Sequence, residues 1–212
     1  MIKMIEILVA DDHPIIREEV KQILKNEPDI VVKSEASNGV EVLKLIKKNK
    51  YDLILLDISL PKKDGLEVLK EIKAKLPKIP ILILSIHSDE YFIIDAIKNG
   101  ASGYITKDTM PEELIKAIRI VYSGQIYINQ NVTQALVDNI KYNREEQPHN
   151  ILSLRELQVM IKIGEGKSIK EIANELSISS KTVSTYKRRI LEKLGLKNNS
   201  EIIKYVMRHK LL

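Results

Sequence analysis

The 212 residues include no cysteine, which excludes disulfides, thiolate-based zinc sites and thiol catalysis. Long apolar runs are missing too. Stretches such as Ile81 to Leu84 fall far short of the roughly 18 apolar residues that a membrane span needs. The first ten residues read as a short strand carrying charges, without the apolar region and small-residue cleavage site of a signal peptide. The expected location is the cytoplasm, with no membrane partner. No P-loop and no G-x-G-x-x-G pattern supports nucleotide binding, and His13, His87, His149 and His209 have no spacing suited to metal ligation. What is present is an ordinary globular composition: 44% hydrophobic and 30% charged residues exclude intrinsic disorder. The length accommodates one large domain or two small ones.

Charge is divided unevenly. Residues 1–149 carry 21 Lys+Arg against 23 Asp+Glu, a net of −2, whereas residues 150–212 carry 13 against 6, a net of +7. A basic carboxy-terminal piece suits a polyanionic partner, with a merely solvated basic face as the alternative.

Over the first 125 residues short apolar runs alternate five times with amphipathic stretches, the pattern of β/α units around a parallel sheet. The expected strands are Ile5 to Ala10, Ile30 to Ala36, Leu53 to Asp57, Ile81 to Ser85 and Gly103 to Ile105. Between them, helical periodicity runs through Ile16 to Leu24, Val40 to Ile46, Gly65 to Ala74, Glu90 to Lys98 and Pro111 to Tyr122. Past Gly124 the alternation lapses. One helix is expected around Val132 to Ile140, and the polar Arg144 to Asn150 reads as an interdomain linker. The expected domains are therefore 1–124, a linker with a helix over 125–149, and 150–212. From Leu152 onward only short helices are expected, two of them opened by capping boxes at Ser153 with Glu156 and Ser168 with Glu171. A last amphipathic helix runs from Asn198 to Arg208.

Asp11 and Asp12 follow the first strand, Asp57 ends the third, Ser85 ends the fourth and Lys107 follows the fifth. Each lies at a strand's carboxyl end, where open parallel sheets bind ligands. Right-handed crossovers give the strand order 2-1-3-4-5, which sets the first and third strands side by side and makes three carboxylates converge. A hard, oxygen-rich cluster of this kind suits Mg²⁺. An aspartate beside it can accept a phosphoryl group, with a lysine ammonium on the other side and the Ser85 hydroxyl as a further donor. Taken singly, each residue has a plainer reading, such as Asp12 capping the helix that Pro14 begins. It is the convergence of five such groups on one edge that favours a site.

The segments LVADDHPIIR, DLILLDISLPKKDGLEVL, ILILSIHS and GASGYITKD resemble the receiver domain of two-component response regulators over residues 1 to about 124. The resemblance implies a flavodoxin-like fold with Asp57 as phosphoacceptor. It implies a Mg²⁺ pocket formed by Asp11, Asp12, Asp57 and the carbonyl of Ser59, with Ser85 as switch hydroxyl, Lys107 as phosphoryl partner and Tyr104 as switch aromatic. Inward movement of Ser85 would then leave room for Tyr104 to turn inward. Asp108 follows Lys107 where many receivers have proline, which sets the fifth strand-to-helix loop apart from theirs.

In the basic part, Ile172, Ala173, Leu176, Ile178, Val183 and Tyr186 have the spacing of two short helices joined by a turn at Ser177 to Ser179, as in a helix-turn-helix. At about 100° per residue, Val183, Ile190 and Leu194 form the buried stripe of the second helix. Lys181, Thr185 and Arg188 lie nearly opposite, with Ser184 beside them, facing a major groove; Lys181, Lys187 and Arg189 suit phosphates. LSLRELQVM, EGKSIKEIANELSISSKTVSTYKRRILEKLGL and YVMRHKLL resemble the LuxR-type DNA-binding domain. Receiver plus this domain resembles the NarL/FixJ family, and LSLRELQVMI with SSKTVSTYK is similar to its GacA/UvrY branch.

The resemblance implies an α/β receiver, a five-stranded doubly wound parallel sheet, followed by a small all-α helix-turn-helix domain. It implies a transcription regulator controlled by aspartyl phosphorylation, not a turnover enzyme. The implied partners are a sensor histidine kinase, double-stranded DNA with paired half-sites, and a second copy of the chain on phosphorylation, paired through the last helix; RNA polymerase is a further candidate. Two alternatives stay open: a phosphorylation-independent DNA-binding regulator whose receiver is an interaction module, and an aspartyl-phosphate phosphatase. The phosphatase would want a second carboxylate two residues past its nucleophile, where this chain has Ser59.

Overall fold

Five strands alternate with five helices in the first part of the chain: β1 (Ile5–Ala10), α1 (Pro14–Leu24), β2 (Ile30–Ala36), α2 (Gly39–Lys48), β3 (Leu53–Leu56), α3 (Gly65–Lys75), β4 (Ile81–Ser85), α4 (Glu90–Lys98), β5 (Gly103–Thr106) and α5 (Met110–Tyr122). The computed structural model describes residues 4–86, 88, 90–141, 148–176, 178–209 and 211–212. All strand pairs are parallel, in the order β2-β1-β3-β4-β5 expected from the sequence. β3 and, up to its terminal Ser85, β4 are apolar and buried on both faces, whereas β2, at an edge, is buried only at its two ends.

Helix starts follow local chemistry. Asn38 caps α2 by accepting the Glu41 N–H at 3.1 Å, and Asp64 caps α3 by accepting the Leu66 N–H at 2.9 Å. One side of the sheet packs Ile7, Val9, Leu53, Leu55, Leu82, Leu84 and Ile105 against Val20 and Leu24 of α1 and Leu114, Ile118 and Val121 of α5. Burying each of these large side chains stabilises the fold by about 1.5–3 kcal/mol relative to exposure.

After α5 the chain turns back beside β5, where Tyr127 forms a parallel bridge with Gly103 and donates its N–H to Ser102 O at 2.8 Å. It then enters α6 (Gln130–Lys141), which packs on α4. The helix expected inside the linker is thus part of the first of two compact units, Met1–Asn143 and Arg144–Leu212. Of the expected polar linker, residues 144–147 lie outside the described residues, and Pro148–Ile151 form a 3-10 helix.

The second unit consists of that turn, α7 (Leu154–Gly164), α8 (Ile169–Glu175), α9 (Ser180–Leu194) and α10 (Asn199–Arg208). Both expected capping boxes form. Ser153 and Ser168 accept the N–H groups of Glu156 and Glu171, whose carboxylates accept the serine N–H groups at 2.7 Å. Leu157, Met160, Ile172, Val183, Ile190, Ile202 and Val206 are buried. α7 and α10 approach closely at Gly164, where a Cβ would lie 2.5 Å from Val206 Cγ1. Among the described residues no helix is long and apolar enough to cross a membrane.

Candidate phosphoacceptor site and nucleic-acid interface

The strand order decides which side chains meet. β1 and β3 are neighbours, and their ladder continues one step beyond Leu56: the Asp57 N–H donates to Ala10 O at 2.8 Å. Asp11 and Asp57 therefore leave adjacent strands side by side, both 1% exposed. On the other side, β4 and β5 bring Lys107 in, its N–H donating to Ser85 O at 2.8 Å. The Lys107 ammonium lies 2.6 Å from Asp11 Oδ2 and 2.9 Å from Asp57 Oδ2, with its side chain only 8% exposed. Asp57 Oδ1 accepts the Ser59 N–H at 3.0 Å. Ser85 is buried at the end of β4.

The backbone around Asp57 is held tightly. A Cβ on Gly65 would lie 2.1 Å from Asp57 O and 2.7 Å from Ile58 Cα, and the Gly65 N–H donates to Ile58 O at 2.8 Å. Only glycine lets α3 begin this close to the strand end. Nearby, Lys62 takes a left-handed conformation with φ of 65°, uncommon for a residue with a side chain.

Among the described residues the site sets the carboxylates of Asp11, Asp12 and Asp57 against the Lys107 ammonium. Burial pushes the Asp57 carboxyl above the usual range; Lys107 pulls it down, and Asp11 adds to the rise. For Lys107, burial alone would lower the ammonium, but Asp57 and Asp11 outweigh it and raise it. Asp11 Oδ2 and Asp12 Oδ1 are buried without hydrogen-bond geometry to any described group, although Lys107 and His13 nitrogens lie at ion-pair distance. Oxygens in that condition suit a divalent cation. Ligand atoms of Asp11, Asp12, His13 and Asp57 all lie within 4.8 Å of one another.

His13 and Tyr104 take positions that the sequence alone did not show. The histidines show no metal-site spacing in sequence, yet the turn after β1 folds His13 back so that Asp11 Oδ1 accepts its N–H at 2.9 Å. Its Nδ1 then lies 3.1 Å from Asp11 and 2.9 Å from Asp12. His13, not Asp12, occupies the cap position of α1, and no side chain caps that helix. Tyr104, the switch aromatic that the resemblance implies, is 1% exposed in this structure, where α4 and α5 flank β5 and the chain beyond α5 returns alongside it. Sequence reasoning also missed Arg17, which donates to Asp11 O at 2.7 Å and pairs with Glu35 at 2.8 Å, bracing the β1 loop. A single arginine on an amphipathic helix gives no such signal. An open cleft of about 810 Å³ lies between the ends of α2 and α3, lined by Lys47, Lys50, Lys75 and Leu76 among others; it holds none of these site residues.

In the second unit, Ser179 caps α9 by accepting the Thr182 N–H at 3.1 Å. Ser177, placed in the expected turn, lies outside the described residues. Val183 and Ile190 are buried and Leu194 is half-buried, as the stripe requires. Lys181, Ser184, Arg188 and Arg189 are exposed, while Thr185 and Lys187 are half-buried. The Ser184 and Thr185 hydroxyls donate back to Ser180 O at 2.9 Å and Lys181 O at 3.0 Å. α9 is anchored by Lys193, whose ammonium lies 2.6 Å from the buried Glu156 carboxylate of α7.

Comparison with known proteins agrees with both units. Residues 7–119 match the response regulator receiver domain, and residues 150–206 match the bacterial regulatory proteins of the luxR family. The oxygen regulatory protein NreC of Staphylococcus aureus (strain JH9) is 37% identical over 214 residues, covering 98% of this chain and 99% of NreC. Among solved structures, the RcsB response regulator of Salmonella typhimurium, studied for its conformational dynamism in DNA interaction, aligns over 98% of this chain and 99% of its own. It does so with a TM-score of 0.61 and 25% identity. A two-component response regulator of the LuxR family from Aurantimonas sp. SI85-9A1 covers 66% of this chain and 99% of its own, with a TM-score of 0.62 and 29% identity. With a receiver sheet ending in clustered carboxylates and a helix-turn-helix unit later in the sequence, the chain belongs to the NarL/FixJ family of response regulators.

Proposed function

We propose that the protein is a phosphorylation-switched transcription factor: a sensor histidine kinase transfers a phosphoryl group to Asp57, and the modified receiver changes how the second unit engages paired DNA half-sites. The observation that carries this reading is the Lys107 ammonium lodged between Asp11 and Asp57, where ligand atoms of Asp11, Asp12, His13 and Asp57 lie within 4.8 Å of one another. Mg²⁺ fits that donor set, with Asp11, Asp12, Asp57 and the Ser59 carbonyl to hold it, and when bound it supplies charge neutralisation for the phosphoryl oxygens.

The chain's own residues do the rest. The Ser59 N–H, donating to Asp57 Oδ1, fixes the plane of the nucleophile. An Asp57 oxygen forms the bond to phosphorus as the P–N bond of the donor phosphohistidine breaks, and the leaving imidazole takes up a proton. Lys107 then pairs with a phosphoryl oxygen and Ser85 donates its hydroxyl to another. Tyr104 starts enclosed, so its part is to repack within β5's surroundings. The position two past the nucleophile is Ser59, without the carboxylate a phosphatase would use, so the receiver acts on itself and turns over no external substrate.

For DNA, α9 enters a major groove. Arg188, exposed and 3.9 Å from Glu192, reads guanine. Ser184 and Thr185, whose hydroxyl protons point at helix carbonyls, offer lone pairs and so accept from base amino groups. Lys181, Lys187 and Arg189 meet phosphates. The RcsB likeness and the net +7 of residues 150–212 support this assignment. Met207, 66% exposed on α10, provides apolar surface for pairing two copies; RNA polymerase contact is a further candidate step.

Intact-mass analysis after incubation with acetyl phosphate and Mg²⁺ tests the site. One phosphoryl group per chain is expected, absent from Asp57→Ala and from chelated samples. Equal labelling of Asp57→Ala would sink the assignment.

A further inference from the structure

Glu113, in the first turn of α5, gathers three partners from separate pieces of chain. Its Oε2 accepts the Asn129 side-chain amide at 2.9 Å and the Thr109 hydroxyl at 3.4 Å. Tyr127 also hydrogen-bonds to it; burial first, and this carboxylate next, push the Tyr127 phenol up to about 12.

Each partner controls something different. Thr109 closes the loop after β5, its N–H donating to Thr106 O at 3.1 Å and its hydroxyl lying 3.1 Å from Thr106 Oγ1; Lys107 sits between these two threonines. Asn129 caps α6 by accepting the Val132 N–H at 3.0 Å. Tyr127 is buried where the returning chain bridges β5. A cap needs only the Asn129 oxygen. The amide's reach across 16 residues to Glu113 adds a tie between α6 and the loop that carries Lys107. One polar path therefore runs from the residues flanking Lys107 to the first turn of α6, the last helix before the second unit, which lies on α4.

We propose that Glu113 is the positioning residue of a relay. Movement of Lys107 toward a phosphoryl group on Asp57 shifts the Thr106–Thr109 loop and, through Glu113, changes how firmly Asn129 and α6 are held against α4. The relay rests on the phosphorylation reading above. It adds the route by which a change at Lys107 leaves the sheet edge, with α6 as the moving part.

Hydrogen exchange of residues 130–141 in the full chain tests it, with and without acetyl phosphate and Mg²⁺, alongside intact-mass measurement of the label. In the wild type, labelling should change the exchange of α6. Glu113→Ala should exchange α6 about fivefold faster without label, the factor expected for a lost cap tie, and should lose most of the label-dependent change while labelling normally. Glu113→Gln keeps an acceptor oxygen for Asn129 and should recover most of the wild-type protection, which sets the tie apart from a folding defect. Normal labelling with α6 exchange unchanged by Glu113→Ala overturns the relay alone. No label on the wild type overturns the phosphorylation reading and the relay with it.

Discussion

Replacing Lys107 with methionine removes the ammonium that, among the described residues, pairs with Asp11 and Asp57, and the structure sets the scale of the damage. At 2.6 and 2.9 Å, with an effective dielectric near 20, each carboxylate attracts the ammonium by about 6 kcal/mol before desolvation is counted. Burying the ammonium returns several of these, and the net cost of breaking a buried pair from one side is about 3–5 kcal/mol. No large discount for solvent applies, because the Lys107 side chain is only 8% exposed and both carboxylates 1%. Metal-free Lys107→Met should therefore lose about 3–5 kcal/mol of receiver stability. Urea unfolding followed by hydrogen exchange of β1 and β3 peptides measures this in the first unit alone. Millimolar Mg²⁺ should shrink the deficit by at least half, since a divalent cation among Asp11, Asp12 and Asp57 replaces the lost neutralisation. A loss below about 1 kcal/mol, the range of an exposed pair, would refute the reasoning, as would a deficit indifferent to Mg²⁺.

Three further outcomes are expected. Because Asp57 has its folded pKa raised, it favours the fold at a pH below its unfolded value of about 4, and that contribution is lost as pH rises through the folded value. Across that window metal-free wild type should lose stability relative to Asp57→Asn, in which the other receiver carboxylates titrate unchanged; urea unfolding of both at stepped pH measures the difference. Gly65→Ala should cost more than about 2 kcal/mol, because the new Cβ meets only backbone atoms of Asp57 and Ile58, and chemical denaturation would read the loss. In binding-site selection, Arg188→Ala should change which sequence is preferred, whereas Arg189→Ala should weaken all sites alike and flatten the salt dependence; the reverse pattern would mean that the face of α9 has been misassigned.

Where the sequence carried repeating physical signals, it could be read almost to the residue. β1, β2 and β4 have the bounds expected of them, and both capping boxes close as serine and glutamate three apart predict. The convergence of Asp11, Asp57 and Lys107 followed from the expected strand order 2-1-3-4-5, which sets β1 beside β3. What could not be read depends on groups far apart in the chain or on a single turn. The α6 periodicity announced an amphipathic helix but not that α4 covers it. His13 reached the acidic cluster through an aspartate-driven turn that no ligand spacing encodes. Tyr104 could be placed on β5 but not judged enclosed, because the returning segment around Tyr127 lies 23 residues away in sequence and bridges at Gly103.

The most direct test of the whole account is a titration of one selected operator with the full chain, unphosphorylated, phosphorylated and as Asp57→Ala, at fixed salt, with mass measured in parallel by light scattering. Phosphorylation should raise the affinity for half-sites spaced one helical turn apart, or a multiple of it, and should shift the protein toward dimers, with residual binding beforehand. Asp57→Ala treated with the phosphodonor should behave as the unphosphorylated chain. Equal affinity and equal mass for all three would contradict the switch and leave the receiver as a phosphorylation-independent interaction module.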